Sequence, residues 1–394
     1  MSGQQNIRQR PGRGWVGFDA TLFVVIIALL VVGLLSVYSA TVHMSLASGN
    51  PAAWFRRQLT WALLGLIAMF VTSNIPYHLW RRVDKYLLGG TLLLLLIVLF
   101  RPARFGSTRF LAGQSIQPSE VAKFALVVYA ASWLSSPMHY YSLHNLKDGL
   151  LPYGIIVGLV AGLVAMQPDI GTAMLLGTVG LIMFFIAGAD IKQFLLAVIV
   201  GGATSALLIA FSNHARQRIH ELMAIWQNPD SERWSQLTQA LRVMRSGGIF
   251  GQGPGRLDTP VPAIHHDFIL AAVGHAFGLV GVSVVLLLFG LLAYRGYTIA
   301  ARAPDPFGSF LAAGITTWLV LQALINMGVA VALVPPTGIP LPLVSYGGSA
   351  MLTTMAALGV LLNISQYTTV RTRHERHSIR GRDRGARVPR AERV

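Results

Sequence analysis

The sequence contains no cysteine among its 394 residues. Disulfide bonds, thiolate metal sites and a cysteine nucleophile are therefore excluded. Charged side chains are also scarce, at 12% of the residues, whereas soluble domains carry about 25%. Hydrophobic residues make up 54% of the chain. This composition is not that of a soluble globular domain, so the sequence predicts an integral membrane protein.

Acidic residues are few as well. The chain has 15 Asp and Glu against 31 Lys and Arg, which gives a formal net charge of +16. Such a charge is compatible with nucleic-acid binding. In a membrane protein, however, basic residues are first explained by the positive-inside rule and by anionic lipid headgroups. We therefore expect no nucleic-acid partner.

Apolar runs of about 17–25 residues, long enough to cross a bilayer as helices, recur along the chain. The first run, from Phe18 to Ala40, is too long for the apolar region of a signal peptide and is expected to be a retained span. The predicted fold class is an all-α integral membrane protein with about ten transmembrane helices, near residues 18–40, 58–76, 86–101, 118–135, 151–167, 170–188, 193–212, 267–293, 308–334 and 345–366.

An even number of spans places both termini on one side of the membrane. Nine arginines between Arg371 and Arg393 identify that side as cytoplasmic. We predict a basic cytoplasmic tail at 1–17, a transmembrane domain at 18–366, and a disordered basic cytoplasmic tail at 367–394 that lies on anionic lipids. Residues 213–266 form a large extracytoplasmic loop between spans seven and eight, and its six arginines indicate an external anionic partner.

Ionisable side chains inside spans cost about 2.5–3.5 kcal/mol each on insertion scales, so each one indicates a specific role. Glu120 and Lys123 are three residues apart and share one face of the fourth predicted helix. They either form an internal ion pair or face a substrate. Asp169, at the turn before the sixth span, is expected to cap a helix. Asp267 lies where the long loop enters the eighth span, and it is either a helix cap or a catalytic carboxylate facing an external cleft.

Two patterns in the outer loop predict no ligand of their own. The glycine-rich run at 246–255 lacks the Lys-Ser/Thr ending of a P-loop and the strand-then-helix context of a dinucleotide site, so we interpret it as a turn-forming segment. His265 and His266 are adjacent but have no carboxylate cluster around them in the sequence. We therefore expect no dedicated metal site.

The segment before the tenth span cannot form an uninterrupted helix. It contains four prolines between Pro335 and Pro342, followed by Ser345, Tyr346 and two glycines. At membrane depth, irregular backbone is tolerated only where protein or a water-filled cavity satisfies its polar groups. The sequence therefore predicts a re-entrant Pro/Gly-rich segment beside a polar cavity.

Taken in chain order, these segments resemble the motifs of the SEDS family of shape, elongation, division and sporulation proteins. The similar segments are at residues 37–40, 57–58, 106–109, 117–123, 167–172, 239, 246–255, 265–269 and 322–349. The resemblance covers nearly all of residues 18–366 and implies a protein of the bacterial inner membrane. Residues 57–58 and 80–82, with the basic C-terminal tail, favour the division branch of the family.

Membership implies a peptidoglycan glycosyltransferase that polymerises lipid II, an undecaprenyl-diphosphate disaccharide-pentapeptide. The implied partners are a class B penicillin-binding protein, which is a transpeptidase, and other membrane proteins of the division or elongation machinery. In the implied inverting reaction a sugar hydroxyl attacks the anomeric carbon of a second substrate while the lipid diphosphate leaves. This chemistry needs a general base and positive charge near the diphosphate.

Asp267 matches the family's essential aspartate and is the implied catalytic base. The implied substrate-binding residues are polar or charged side chains of the same motifs and of the outer loop, namely Lys123, Arg109, Glu120, Arg216, Arg218, Gln239, Ser345 and Tyr346. The basic members of this set would hold the diphosphate. We expect no resident cofactor, although a divalent cation, Mg²⁺ or Mn²⁺, could bridge the lipid diphosphate.

The chain departs from the family pattern on both sides of Asp267. Ala263, His275 and Ala276 stand where family members usually carry acidic residues. Two other functions therefore stay open. A lipid II flippase or other transporter would also have a broken helix and buried charges. A non-catalytic division scaffold would tolerate the loss of these carboxylates.

Overall fold

The computed structural model describes residues 18–47, 52–100, 117–140, 143–227, 235–257, 261 and 263–385. Within these ranges the regular structure is helical, with no β-strand. The α-helices in chain order are α1 (Ala20–Ala47), α2 (Ala53–Asn74), α3 (Trp80–Leu99), α4 (Pro118–Leu134), α5 (Pro137–Tyr140), α6 (Leu151–Ala165), α7 (Ile170–Ile186), α8 (Ile191–Phe211), α9 (Asn213–Gln227), α10 (Gln236–Ser246), α11 (Ile269–Arg302), α12 (Pro306–Ala330) and α13 (Gly348–Gly385).

Six helical segments in the described ranges are long and apolar enough to cross a membrane, so the chain is a multi-pass, all-α membrane protein. They are Ala20–Val42, Leu146–Ala165, Ile191–Phe211, Ile269–Arg302, Pro306–Ala330 and Gly348–Thr368. Helices also cover the other segments in which we predicted spans, as α2, α3, α4 and α7. These four are shorter or more polar, and a total of ten spans therefore stays a prediction.

Helix α12 lies at the centre of the bundle, where it packs against α4, α7, α11 and α13. Its Trp318 is fully buried, and α4 beside it is buried along nearly its whole length. Helix α8 is peripheral, because Gln193 is its one buried residue and its exposed side chains are mostly apolar. Apolar side chains directed outwards are expected where lipid, and not water, surrounds the protein.

Glycine allows α13 to pack closely on α2. A Cβ atom added at Gly359 would lie 2.0 Å from Thr72 Oγ1 and 2.3 Å from the Met69 carbonyl oxygen. A Cβ added at Gly348 would lie 2.4 Å from Trp61 Cε2. Helices in lipid associate mainly through van der Waals contact, and small residues permit the short interaxial distance that this contact needs.

Helix α11 is interrupted at Gly278, which has φ 67° and ψ −162°. The glycine-rich run of the outer loop binds the backbone groups that the break exposes. The pairs are Gln252 N with His275 O (2.9 Å), Gly253 N with Ala276 O (3.1 Å), Leu279 N with Gly248 O (2.9 Å) and Val280 N with Ile249 O (3.2 Å). A segment long and apolar enough to cross the membrane, Ile269–Arg302, lies where we predicted the eighth span, and the break at Gly278 is a feature that we did not predict. Side-chain hydropathy cannot predict such a break, because the break depends on the backbone conformation of a single residue. Only glycine tolerates that conformation.

The predicted outer loop contains two helices, α9 and α10, and its residues 228–234, 258–260 and 262 lie outside the described residues. Helix α13 continues to Gly385, so residues 367–385 are helical where we predicted a disordered tail. No proline lies between Pro342 and Pro389 to interrupt the helical hydrogen bonds. The tail at 1–17 and residues 386–394 lie outside the described part of the chain.

Candidate functional site

Residues 331–347, which we call the α12–α13 segment, contain no helix, as the prolines predicted. Two amide side chains of α12 bind its carbonyl groups. Gln322 Nε2 donates to Pro340 O at 2.7 Å, and Asn326 Nδ2 donates to Ile339 O at 2.9 Å. Both amides are 1% exposed. Because unpaired backbone groups are costly in a membrane interior, these amides stabilise the irregular backbone.

The turn at residues 263–268, which we call the Asp267 turn, is anchored on this segment. Ser345 Oγ donates to His266 O at 2.6 Å, and Tyr346 N donates to His265 O at 2.8 Å. Asn326 Nδ2 also donates to Asp267 O at 2.9 Å. Ser345 and Tyr346, predicted as substrate-binding residues, thus contact the main chain of the turn that carries Asp267.

Asp267 does not cap α11. The N-cap is Phe268, and no side chain caps this helix end. The side chain of Asp267 is partly exposed. Its backbone N–H donates to Ala263 O at 3.1 Å, and Ala263 has φ 57°, a left-handed conformation that costs a residue with a Cβ atom. Of the two interpretations of Asp267, the geometry favours a carboxylate presented at the surface of a constrained turn.

Aromatic rings form one wall beside the turn. The Trp54 ring lies 5.2 Å from His265 and 5.2 Å from Tyr346, and the His266 ring lies 5.2 Å from Tyr346. Burial lowers the pKa of His265 to about 3, and a charge on His266 acts in the same direction. Burial also lowers the pKa of His266, against the opposing effect of Asp267. Both imidazoles are therefore neutral at neutral pH.

Lys123 is held deep in the bundle. Its Nζ donates to Glu120 Oε1 at 2.9 Å and to Gln322 Oε1 at 2.8 Å, and lies 5.4 Å from the Trp318 ring centroid. The side chains of Lys123 and Glu120 are 1% and 2% exposed. Gln322 also binds Pro340, so one amide connects this ion pair to the α12–α13 segment. The internal ion pair fits this geometry, and a substrate-binding role for either residue stays a prediction.

Asp169 caps α7 as predicted, since its Oδ1 accepts from Thr172 N at 3.3 Å. Its Oδ2 accepts from Gln117 Nε2 at 3.0 Å, which ties α7 to the start of α4. A Cβ added at the adjacent Gly171 would lie 2.6 Å from Thr337 O. The motif at 167–172 therefore contacts the α12–α13 segment directly, and the motif at 117–123 is joined to it through Asp169.

Arg218 is the predicted diphosphate ligand of the outer loop that reaches this segment. Its Nη1 donates to Pro336 O at 2.9 Å, and Trp226 Nε1, on the same helix α9, donates to Ala332 O at 2.8 Å. Through these two contacts, α9 packs along the α12–α13 segment.

The remaining predicted residues are further away or not described. Arg216 binds Asn213 on its own helix at 2.5 Å, and no contact joins it to the α12–α13 segment in the described part of the chain. Gln239 is half-buried on α10, which packs against α11 and α12. Arg109 lies outside the described residues.

Three buried amides, Gln58, Gln322 and Asn326, were missing from our predicted site. Gln58 is 0% exposed on α2, where its Nε2 lies 3.3 Å from Ser345 O and its Oε1 accepts from Gly347 N at 3.3 Å. Gln322 and Asn326 are amides in an otherwise apolar stretch of α12. That pattern, together with a following proline-rich segment in need of donors, is the signal by which they could have been found.

His275, which replaces an acidic residue of the family pattern, is 5% exposed and fully integrated in the fold. Its Nδ1 lies 2.9 Å from Ser246 Oγ, and its Nε2 lies 3.4 Å from Arg256 O. His275 thereby ties the outer loop to α11.

Known proteins match nearly the whole chain. It is 36% identical to "Probable peptidoglycan glycosyltransferase FtsW" of Geobacter metallireducens, over 88% of this chain and 94% of that protein. It is 35% identical to "Stage V sporulation protein E" of Bacillus subtilis, over 89% of this chain and 97% of that protein.

Solved structures share the fold. A chain of a peptidoglycan synthase complex, described as coordinating polymerization and crosslinking, matches with a TM-score of 0.70 and 26% identity over 90% of this chain and 99% of that chain. RodA, the rod shape determining protein of Thermus thermophilus, matches with a TM-score of 0.66 and 26% identity over 89% of this chain and 98% of RodA. The family described as "Cell cycle protein" and named for FtsW, RodA and SpoVE matches residues 20–370. This chain therefore belongs to the FtsW/RodA/SpoVE family, the SEDS proteins.

Proposed function

We propose that the chain is a peptidoglycan glycosyltransferase that polymerises lipid II into glycan strands during cell division or elongation. The activity in the names of its FtsW relatives, and the solved peptidoglycan synthase complex with the same fold, support this function. The observation that carries the residue assignment is the Asp267 turn, which Asn326, Ser345 and Tyr346 hold by three hydrogen bonds.

Asp267 is the proposed general base. Its carboxylate accepts the proton of the attacking sugar hydroxyl while the hydroxyl oxygen bonds to the anomeric carbon of the second substrate. The bond from that carbon to the lipid diphosphate breaks, and the diphosphate leaves with the electron pair. A base of this kind is effective only when its position is fixed, and the anchored backbone of the turn supplies that constraint.

Cationic side chains are the proposed ligands of the leaving diphosphate. Arg218 has the strongest support, because it contacts the α12–α13 segment, and that segment also anchors the Asp267 turn. Lys123 is paired with Glu120 and would act on the substrate only by exchanging that partner. Arg109 and Arg216 complete the proposal, with Gln239 as a further polar contact.

The side chains of the described residues do not form a dedicated metal site. No group of three or more His, Asp or Glu residues that could hold an ion occurs among the described residues. The proposed Mg²⁺ or Mn²⁺ would therefore be bound chiefly by the oxygens of the substrate diphosphate, and no step of the mechanism depends on it.

The proposed setting is the bacterial inner membrane, with ten spans and both termini in the cytoplasm. The arginines of the C-terminal tail support this orientation and the binding of that tail to anionic lipids. The proposed partners are a class B penicillin-binding protein and other membrane proteins of the division or elongation machinery. The described link between polymerization and crosslinking in the related complex supports the first of these.

The test is polymerisation of labelled lipid II by the purified full chain together with its penicillin-binding protein. We expect glycan polymer from the wild type and none from Asp267→Ala. Asp190→Ala is the matched control, because Asp190 is a carboxylate that caps α8, away from the Asp267 turn. A folded wild type that yields no polymer with its partner would overturn the proposal.

A flippase is the second candidate, since buried charges can mark a substrate path. The same preparation in liposomes distinguishes the two functions. A flippase would move labelled lipid II between leaflets even when it carries the Asp267→Ala substitution. A non-catalytic scaffold would neither polymerise nor move the lipid, yet it would still bind its partner.

A further inference from the structure

A polar cavity of about 240 Å³ lies at the end of the bundle remote from the Asp267 turn. The start of α1, the last turns of α11 and the middle of α13 form its walls. The part of α11 after its break at Gly278 ends at Arg302 in the cavity wall, and its length of ~36 Å separates the outer-loop side of the bundle from the cavity. The proposed reaction does not use this cavity.

Arg295 is fixed in one wall by Asp19. Its Nε donates to Asp19 Oδ2 at 2.9 Å, and its Nη2 binds the same oxygen. Asp19 Oδ1 in turn accepts from Leu22 N at 3.0 Å and caps α1, and the Asp19 side chain is 6% exposed. The Nη1 group of Arg295 finds no acceptor within the described ranges. The protein therefore holds a guanidinium in place with hydrogen-bond donors left over.

Arg302 supplies a second set of donors. It lies seven residues after Arg295, two turns along the same face of α11, and it also lines the cavity. Its side chain is exposed, and among the described residues it has no carboxylate partner. With Asp19, the two arginines give the lining a net charge of +1.

The hydroxyl groups of the lining act as acceptors. Thr298 Oγ1 donates its proton to Tyr294 O at 2.6 Å, and Ser365 Oγ donates to Leu362 O at 2.7 Å. Ser365 Oγ already accepts from Asp19 N at 3.0 Å, whereas the lone pairs of Thr298 Oγ1 can still accept. Donors in the cavity therefore come from the arginines, which match the oxygens of a phosphate group, while the Thr298 hydroxyl matches a donor next to it.

We propose that this cavity binds a phosphodiester, the singly charged group that joins the headgroup of a phospholipid to its glycerol. The phosphate oxygens bind Nη1 of Arg295 and the guanidinium of Arg302, and the headgroup hydroxyl or ammonium binds Thr298. The start of α1, the end of α11 and the end of the Gly348–Thr368 span within α13 meet at this cavity, which places it at the depth of lipid headgroups. The site adjoins the basic tail, since Thr368 lines it, but its proposed ligands are the arginines of α11, and it is distinct from the lipid II site proposed at the other end of the bundle.

Native mass spectrometry of the detergent-purified full chain tests the proposal. The probes are phosphatidylglycerol and phosphatidylethanolamine, with diacylglycerol as the lipid without phosphate and glycerol phosphate as the soluble phosphate. We expect the wild type to retain both phospholipids but not diacylglycerol. Arg302→Gln should weaken that retention at least about tenfold, because a charge-assisted pair is lost. Arg82→Gln, an exposed arginine of α3 outside the cavity, should retain phospholipid like the wild type.

A second variant, Thr298→Leu, fills the cavity without a change of charge and should also reduce retention. Competition by glycerol phosphate would identify a free phosphate as the ligand, whereas its failure to compete would identify the lipid headgroup. Equal retention by the wild type, Arg302→Gln and Thr298→Leu, or equal retention of diacylglycerol, would overturn the proposal.

Discussion

Asn326, a fully buried residue of α12, donates a hydrogen bond to the backbone carbonyl of Asp267 at 2.9 Å. The same amide nitrogen donates to Ile339 O in the α12–α13 segment. One side chain thus holds two pieces of irregular backbone in register, and one of them carries the proposed catalytic base. Asn326 is therefore a positioning residue for Asp267.

Asn326→Leu should lower the polymerisation rate by about 10²-fold, since a displacement of about 1 Å in a reacting group costs that much. Turnover should fall while partner binding is unchanged, because Asn326 lies inside the bundle. Initial rates with labelled lipid II measure the effect. Asn74→Leu is the control, since Asn74 is exposed and binds within its own helix. A variant with the wild-type rate would contradict a positioning role.

The ion pair of Glu120 and Lys123 should contribute to stability only as a pair. Lys123→Met leaves Glu120 buried without its cation, and such losses cost about 3–5 kcal/mol. Glu120→Gln combined with Lys123→Met should restore much of that stability, because no unpaired charge is left. Thermal unfolding in detergent measures both. If the double variant is less stable than Lys123→Met, the two residues do not interact as the 2.8 Å distance implies.

Gly359→Ala should destabilise the packing of α2 against α13 by about 1–3 kcal/mol, as overpacked cores do. The new Cβ would lie 2.0 Å from Thr72 Oγ1 and 2.3 Å from the Met69 carbonyl, so a helix must shift. Gly90→Ala in α3 is the control, because nothing lies within 4 Å of its Cβ position. Its melting temperature should stay the same or rise, since Ala favours helix more than Gly. An unchanged melting temperature for Gly359→Ala would show that the two helices lie further apart.

Asp305, the N-cap of α12, should make stability depend on acidic pH. Burial acts to raise the pKa of Asp305, but hydrogen bonds from His78, Tyr77 and the Gly308 N–H outweigh it and lower that pKa below 3.8. A lowered pKa means stabilisation that is complete above about 3.8 and is lost as the pH falls through the folded value.

The wild type should therefore melt at a higher temperature than Asp305→Asn at pH 6, and the difference should shrink below about pH 4. Melting curves in detergent across that range provide the measurement. Asp190→Asn is the control, because Asp190 is the N-cap of α8. It distinguishes the effect of the Asp305 network from the effect of losing an ordinary N-cap. A difference between wild type and Asp305→Asn that does not change with pH would contradict the proposed network.

The sequence alone predicted the helices and most of the motifs. The helices follow from residues that are close in sequence, and the motifs stand out because their residues are chemically unusual in a membrane span. A run such as Phe18 to Ala40 is apolar along its whole length, and charges such as Lys123 are rare enough in spans to indicate a role. The four prolines after α12 forbid a helix there whatever surrounds them. Each of these inferences depends only on residues that are close together in the sequence.

Tertiary structure decided which residues meet. Asn326 and Asp267 are 59 positions apart, and Gln58 and Ser345 are 287 apart, so no local pattern connects them. The break in α11 at Gly278 exists because a glycine run some 30 residues earlier pairs with it, and hydropathy is blind to backbone pairing. The sequence by itself determined an all-α membrane protein of this family, and it predicted Asp267 as the base. Only the packing of α12 against the two irregular segments decided how that carboxylate is held, because distant backbone donors and acceptors must be matched inside a bundle that excludes water.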